Sequence, residues 1–98
     1  MKKIAVLITT DHTKRGVFMG FIDPADAGKE TLEAEEVRMS VYWSEETKGV
    51  IGLASKGPDK NCRISPAAKK ATLKGVTAVM ELTEEALAAW RKEPWKTS

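Results

Sequence analysis

Val37-Arg38-Met39-Ser40-Val41-Tyr42-Trp43 alternates without a break, with Val37, Met39, Val41 and Trp43 on one side and Arg38, Ser40 and Tyr42 on the other. Period 2 is the signature of a strand with one buried face. Upstream, residues 31–36 read either as a helical turn or as the start of the same strand. Downstream, residues 44–49 form a hairpin loop, residues 50–54 the return strand, and residues 55–59 (Ser-Lys-Gly-Pro-Asp) a turn. Working back to the start, Ile4 to Thr9 is a short apolar run rich in β-branched residues and reads as a central strand. Val17-Phe18-Met19-Gly20-Phe21-Ile22 is a second strand, apolar on both faces, ended by the turn residues of 23–28. Cys62-Arg63-Ile64 adds a short strand closed by Ser65-Pro66.

Residues 72–82 alternate again, with Val76, Ala78, Met80 and Leu82 sharing one face. The period then changes. Thr83 is a helix N-cap, Glu84 and Glu85 occupy the first turn, where the helix dipole favours acids, and Ala86-Leu87-Ala88-Ala89-Trp90 propagates until Pro94 stops it. Leu82 and Leu87 are spaced as a hydrophobic staple. The expected core includes Val41, Val76, Ala78, Met80 and Leu87, and Trp43 and Trp90 also read as core. Short connections favour antiparallel pairing, and no helix of crossover length separates two strands. The expectation is a single mainly-β domain over residues 1–98. It is a small, antiparallel, strongly bent sheet or partly open barrel of the SH3- or Sm-like kind, with five to six strands. One C-terminal helix spans about 83–93, and a loose tail covers 95–98.

Composition narrows the function. The chain has 98 residues, 42% hydrophobic and 31% charged, which is globular rather than disordered. A net charge of +2 is too small for bulk attraction to nucleic acid or a membrane surface. A lone Cys62 excludes an internal disulfide, and a lone His12 excludes the usual zinc ligand sets, so no metal and no cofactor is expected. The apolar run Ile4–Ile8 is too short for a signal-peptide core and no stretch is long enough to span a membrane, so the expected location is cytoplasmic. Catalysis is disfavoured: the acids cluster in a turn and a sheet edge, and no base accompanies Cys62 or a serine.

Charge is unevenly distributed. Residues 23–36 hold six acids and one Lys, whereas residues 56–74 hold six bases and one acid. These stretches read as two solvated faces on opposite sides, or as a basic surface for a phosphate-bearing ligand and an acidic one that docks on a neighbouring copy.

Two loops and one sheet face are suited to an anion. The first loop, residues 9–16, offers the hydroxyls of Thr10 and Thr13, with Arg15 and a flexible Gly16. The second, residues 52–58, offers Ser55 and Lys56 between glycines and leads to Arg63; its spacing is not that of a Walker A loop. On the sheet, Arg38 and Tyr42 share a face, and an Arg beside an aromatic suits a nucleobase. A phosphate leaves water only where several fixed donors replace its hydration, which Arg does bidentately. The expected ligand site is therefore Thr10, Thr13, Arg15, Arg38, Tyr42, Ser55, Lys56 and Arg63, with no catalytic residue. Each element also has a plain reading, as a solvated loop, a tight turn or an open sheet face.

The series Thr10-x-x-x-x-Arg15-Gly16-Val17-Phe18-x-Gly20, Arg38-Met39-x-x-Tyr42-Trp43, Gly49-Val50-x-Gly52-Leu53-Ala54-x-x-Gly57-Pro58, Arg63-Ile64, Gly75-Val76-Thr77 and a closing helix with Trp90 resembles a family of small phage- and prophage-encoded proteins. The resemblance covers nearly the whole chain and brings no activity with it. It implies an accessory gene acting in the host cell, in host takeover or counter-defence. Some such proteins sequester a nucleotide immune signal, and others bind and block a defence complex, as anti-CRISPR proteins do. The leading expectation is a non-enzymatic protein sequestering a nucleotide-type anion, as a homo-oligomer whose copies together form the pocket. The alternatives are a protein-binding inhibitor of a host defence complex, or a nucleic-acid-binding barrel using Lys56, Lys60, Arg63, Lys69, Lys70 and Lys74.

Overall fold

A computed structural model describes residues 3–10, 16–42, 49–58 and 62–92. The elements run β1 (Ile4–Thr10), β2 (Gly16–Ile22), a 3-10 turn (Pro24–Asp26), β3 (Leu32–Tyr42), α1 (Gly49–Ser55), β4 (Arg63–Ile64), β5 (Ala68–Leu73), β6 (Val76–Glu81) and α2 (Glu84–Lys92). All pairings are antiparallel, in the order β4-β3-β2-β1-β6, with β5 also on β3. The expected mainly-β, antiparallel sheet is what the chain forms, and residues 31–36 resolve as the start of the long strand β3.

The bend follows from connectivity. β5 and β6 are separated only by Lys74 and Gly75, yet they pair on opposite sides of the β3-β2-β1 unit: Leu73 lies opposite Leu32, and Val76 opposite Thr10. The sheet must curl until its two edges meet at that corner, as strands do when a sheet approaches a barrel. Gly75 turns the corner at φ 70°, and the Val76 N–H donates to the Glu30 carbonyl at 2.9 Å. Inside the curl lie Val6, Ile8, Ile22, Leu32, Ala34, Val37 and Leu73. The other face carries Leu7, Met19 and Ile64, which pack with Leu53 and Ala54 of α1 and with Ala86 and Trp90 of α2. β2 is apolar on both faces because it faces both clusters.

Three expectations are corrected. Residues 50–54 are not a return strand but most of a second helix, α1. Val50, Leu53 and Ala54 face the cluster at helical spacing, while Ile51 is 74% exposed. A five-residue apolar run fits either period, and here tertiary packing decides. Residues 72–82 are not one strand, because Lys74-Gly75 splits them. A register irregularity at Thr9/Thr10 then shifts the phase of β6, so that Val76 packs on the inner cluster and Met80 on the helix-covered one. Val76, Ala78 and Met80 are accordingly half-buried rather than fully buried, and Leu87 of α2 is half-buried too. The described residues form two α-helices, not one.

The α2 N-terminus is as expected. Thr83 Oγ1 accepts from the Ala86 N–H at 3.0 Å and donates to the Ser55 carbonyl, so one hydroxyl caps α2 and ties it to the end of α1. Trp90 is fully buried and its indole N–H donates to the Leu53 carbonyl at 3.1 Å. Gly57, at φ 84°, ends α1 against α2: a Cβ there would lie 2.6 Å from that of Ala89. Among the described residues no helix is long and apolar enough to cross a membrane. The side chain of Val41 and residues Trp43, Pro94 and Trp95 lie outside those described.

Candidate ligand groove

The described members of the expected site do not surround one point. Thr13, Arg15 and the side chain of Tyr42 lie outside the described residues. The Tyr42 backbone pairs with Arg63, and Thr10 pairs with Gly16. Continuing the β2–β3 register, in which Phe18 lies opposite Met39, brings Thr10, the Tyr42 backbone and Arg63 to one end of the sheet. Ser55 and Lys56 lie toward the other end. Leu82 N–H donates to the Ala5 carbonyl and Thr83 N–H to that of Ala54, which sets the end of α1 beside Ala5. Five strand residues, roughly 17 Å, separate Ala5 from Thr10. Arg38 lies opposite Met19, on the helix-covered face, so its side of the sheet is not the open surface that was one of its readings. Its Nε is sealed from solvent and has no hydrogen-bond acceptor.

A different set of residues converges. Between Met19 and Phe21 of β2, the facing strand runs from Arg38 to Glu35, one residue too many. That extra residue makes a β-bulge, with Glu36 at φ 52°, a left-handed backbone that residues other than glycine seldom adopt. Gly20 faces it: a Cβ there would lie 3.3 Å from the Glu35 carbonyl oxygen. The Glu36 carboxylate accepts from Arg91 Nε at 2.9 Å and from Nη2 at 3.2 Å, a bidentate fork. Arg91 ends α2, and its guanidinium carbon sits 5.0 Å from the centre of the Phe21 ring. The hydrogen bond to Glu36 holds the Arg91 pKa above its ordinary value.

Around this latch opens a groove of about 710 Å3, lined by Lys3, Phe21, Glu35, Glu36, Ala67, Ala68, Lys69 and Arg91. That volume lies within the range of small-ligand sites, roughly 300–1,000 Å3. Lys3 Nζ pairs with Glu35 at 3.4 Å, so both acids already hold a cation. Lys69, exposed at the start of β5, makes no ion pair with any described residue.

None of the expected site residues whose side chains are described (Thr10, Arg38, Ser55, Lys56 and Arg63) lines this groove. Lys69 and Glu36 fall within the basic and acidic stretches of the sequence, but nothing in the chain marks position 36 as a bulge. Arg91 carries only the signal of a cation in the last helical turn. The two charged stretches also meet within one chain: β5 pairs along the first half of β3, and Lys70 Nζ lies 3.8 Å from Glu33. They are solvated but lie side by side rather than on opposite sides, and the acidic stretch has a partner without a neighbouring copy.

The chain belongs to the family described as a domain of unknown function (DUF6948), whose sequence model matches residues 3–90. No curated protein and no solved structure matches it.

Proposed function

We propose that this is a non-catalytic binding protein that sequesters a small anionic ligand of the nucleotide type in the groove between β5 and the end of α2. The observation that carries this reading is Lys69, an unpaired cation on the rim of a ligand-sized groove whose other charges are already matched. A bound anion adds a partner there without stripping one from Lys3 or Arg91. The setting, a phage or prophage accessory protein acting on a host signal in the host cytoplasm, rests on the resemblance in the sequence. The groove lies within one chain, so the reading does not require an oligomer. The nucleic-acid alternative would draw on the basic stretch of residues 56–74, of which Lys70 already pairs with Glu33.

Calorimetric titration of the wild type and Lys69→Ala against mono-, di- and cyclic nucleotides, with short oligonucleotides as control, tests this. One lost contact to a charged group weakens binding by about 1.5–3 kcal/mol. The melting temperature stays the same, because Lys69 is exposed and unpaired. Binding of no small anion would sink the reading. Binding of oligonucleotides alone, with steep salt dependence, would move it to nucleic acid.

A further inference from the structure

We infer that the groove is built to stack a planar heteroaromatic ring on the outer face of Arg91, with Glu36 as the residue that positions that face, so that the favoured ligand is a nucleobase carrying a phosphate. The inference rests on the groove reading and deepens it.

Arg91 is constrained from three directions. Its backbone is fixed in the last turn of α2, its guanidinium carbon sits over the Phe21 ring at 5.0 Å from the centroid, and the Glu36 fork takes its Nε and Nη2 edge. Among the described residues its Nη1 end has no partner, and the side chain is 50% exposed. An arginine normally samples many rotamers and loses that freedom when a ligand orders it; here the ordering is already done. A planar guanidinium held flat beside a groove is a stacking surface for a base.

The strained backbone points the same way. Glu36 sits at φ 52° in a bulge opposite Gly20, and that conformation sends its carboxylate to Arg91. Strain of this kind persists only where its surroundings enforce it, and it collects at ligand sites. The two ends of the ligand are also assigned. The carbonyls at the C-terminus of α2 carry partial negative charge, which disfavours a phosphate beside Arg91. Lys69, on β5 rather than on that helix, takes the anion, and Arg91 takes the ring.

The test compares nucleoside 5′-monophosphates with ribose 5-phosphate, which share the anion and differ by the base. In the wild type the base raises affinity by roughly tenfold or more, as a stacked base does. Arg91→Ala abolishes that increment. Glu36→Gln reduces it several-fold, and Glu36→Asn, which tolerates the left-handed backbone but is too short to reach Arg91, does the same with little change in melting temperature. Lys69→Ala weakens both ligands equally. Equal wild-type affinity for the two ligands would overturn the stacking inference and leave the groove reading standing, whereas binding of neither would overturn both. A base increment that survives intact in Glu36→Asn would overturn the positioning role of Glu36.

Discussion

The two faces of the sheet are buried by different means. The inner face is covered by the sheet itself: aliphatic side chains from β1, β2, β3 and β5 meet because the curl brings β5 round to β6. The other face is covered by two short helices, α1 and α2, held by a few specific contacts: the Thr83 hydroxyl on Ser55, the Trp90 indole on Leu53, and the close approach at Gly57. Among the described residues the inner face contains no buried polar side chain. The helix-covered face contains buried Ser40 and the sealed Nε of Arg38, both without acceptors. A face closed by curl needs only the right strand pattern and tolerates gradual change. A face closed by docked helices depends on individual anchors, and losing one should be felt across the whole layer. The groove belongs to this second face, since Arg91 is delivered by α2.

The largest expected effect is at the principal anchor. Trp90→Ala removes a fully buried ring and its indole hydrogen bond, and should cost about 3–5 kcal/mol, measured as a shift in denaturant midpoint at unchanged slope. The comparison sharpens if Ile8→Val, which trims one methylene from the inner face, costs only about 0.5–1.5 kcal/mol. It breaks if Trp90→Ala costs no more than that.

Next in size is Gly57→Ala. The position is left-handed, which alone costs about 1–2 kcal/mol for a residue with a Cβ. The new methyl would also meet the Ala89 Cβ at 2.6 Å and the Ala86 carbonyl oxygen at 2.8 Å, backbone that cannot swing aside. We expect about 2–3 kcal/mol in total. Because the clash pushes the helices apart, Trp fluorescence should report loosening of the α1–α2 layer. Gly28→Ala, at an open position with nothing within 4 Å, serves as the control and should be near neutral.

This division also explains what could be read from the chain. The inner face was legible, because aliphatic runs and the alternation from Val37 translate directly into strands. So was the start of α2, where Thr83, the two glutamates and the apolar spacing agree. α1 was not, since residues 50–54 satisfy both periods and only the docking of Leu53 and Ala54 beside Trp90 selects the helix. The phase of β6 was lost to a register irregularity at Thr10, and the groove to a bulge at Glu36, and neither position carries the Gly or Asn that would announce it. The opposite charges of the two stretches were visible. That they pair with each other follows from strand order, which a list of strands does not contain. The eight proposed anion contacts were chosen by chemistry, and the fold distributes the described ones over both ends of the sheet.

The smallest expected effect, and the one with the opposite sign, is at Ser40. This residue is 3% exposed, lies opposite Ile64, and its hydroxyl has neither donor nor acceptor. A hydroxyl taken from water into an apolar layer without a partner costs on the order of 1–3 kcal/mol. Ser40→Ala removes that penalty and leaves a void of one oxygen atom, so the two terms partly cancel, and the variant should be as stable as the wild type or more stable by up to about 1 kcal/mol. A buried serine whose removal stabilises the protein would show that the helix-covered face carries an uncompensated polar group, which the inner face does not. A loss of more than about 1 kcal/mol on the same substitution, read from the denaturant midpoint, would mean that the hydroxyl is hydrogen-bonded in solution, and the contrast between the faces would then rest on their anchors alone.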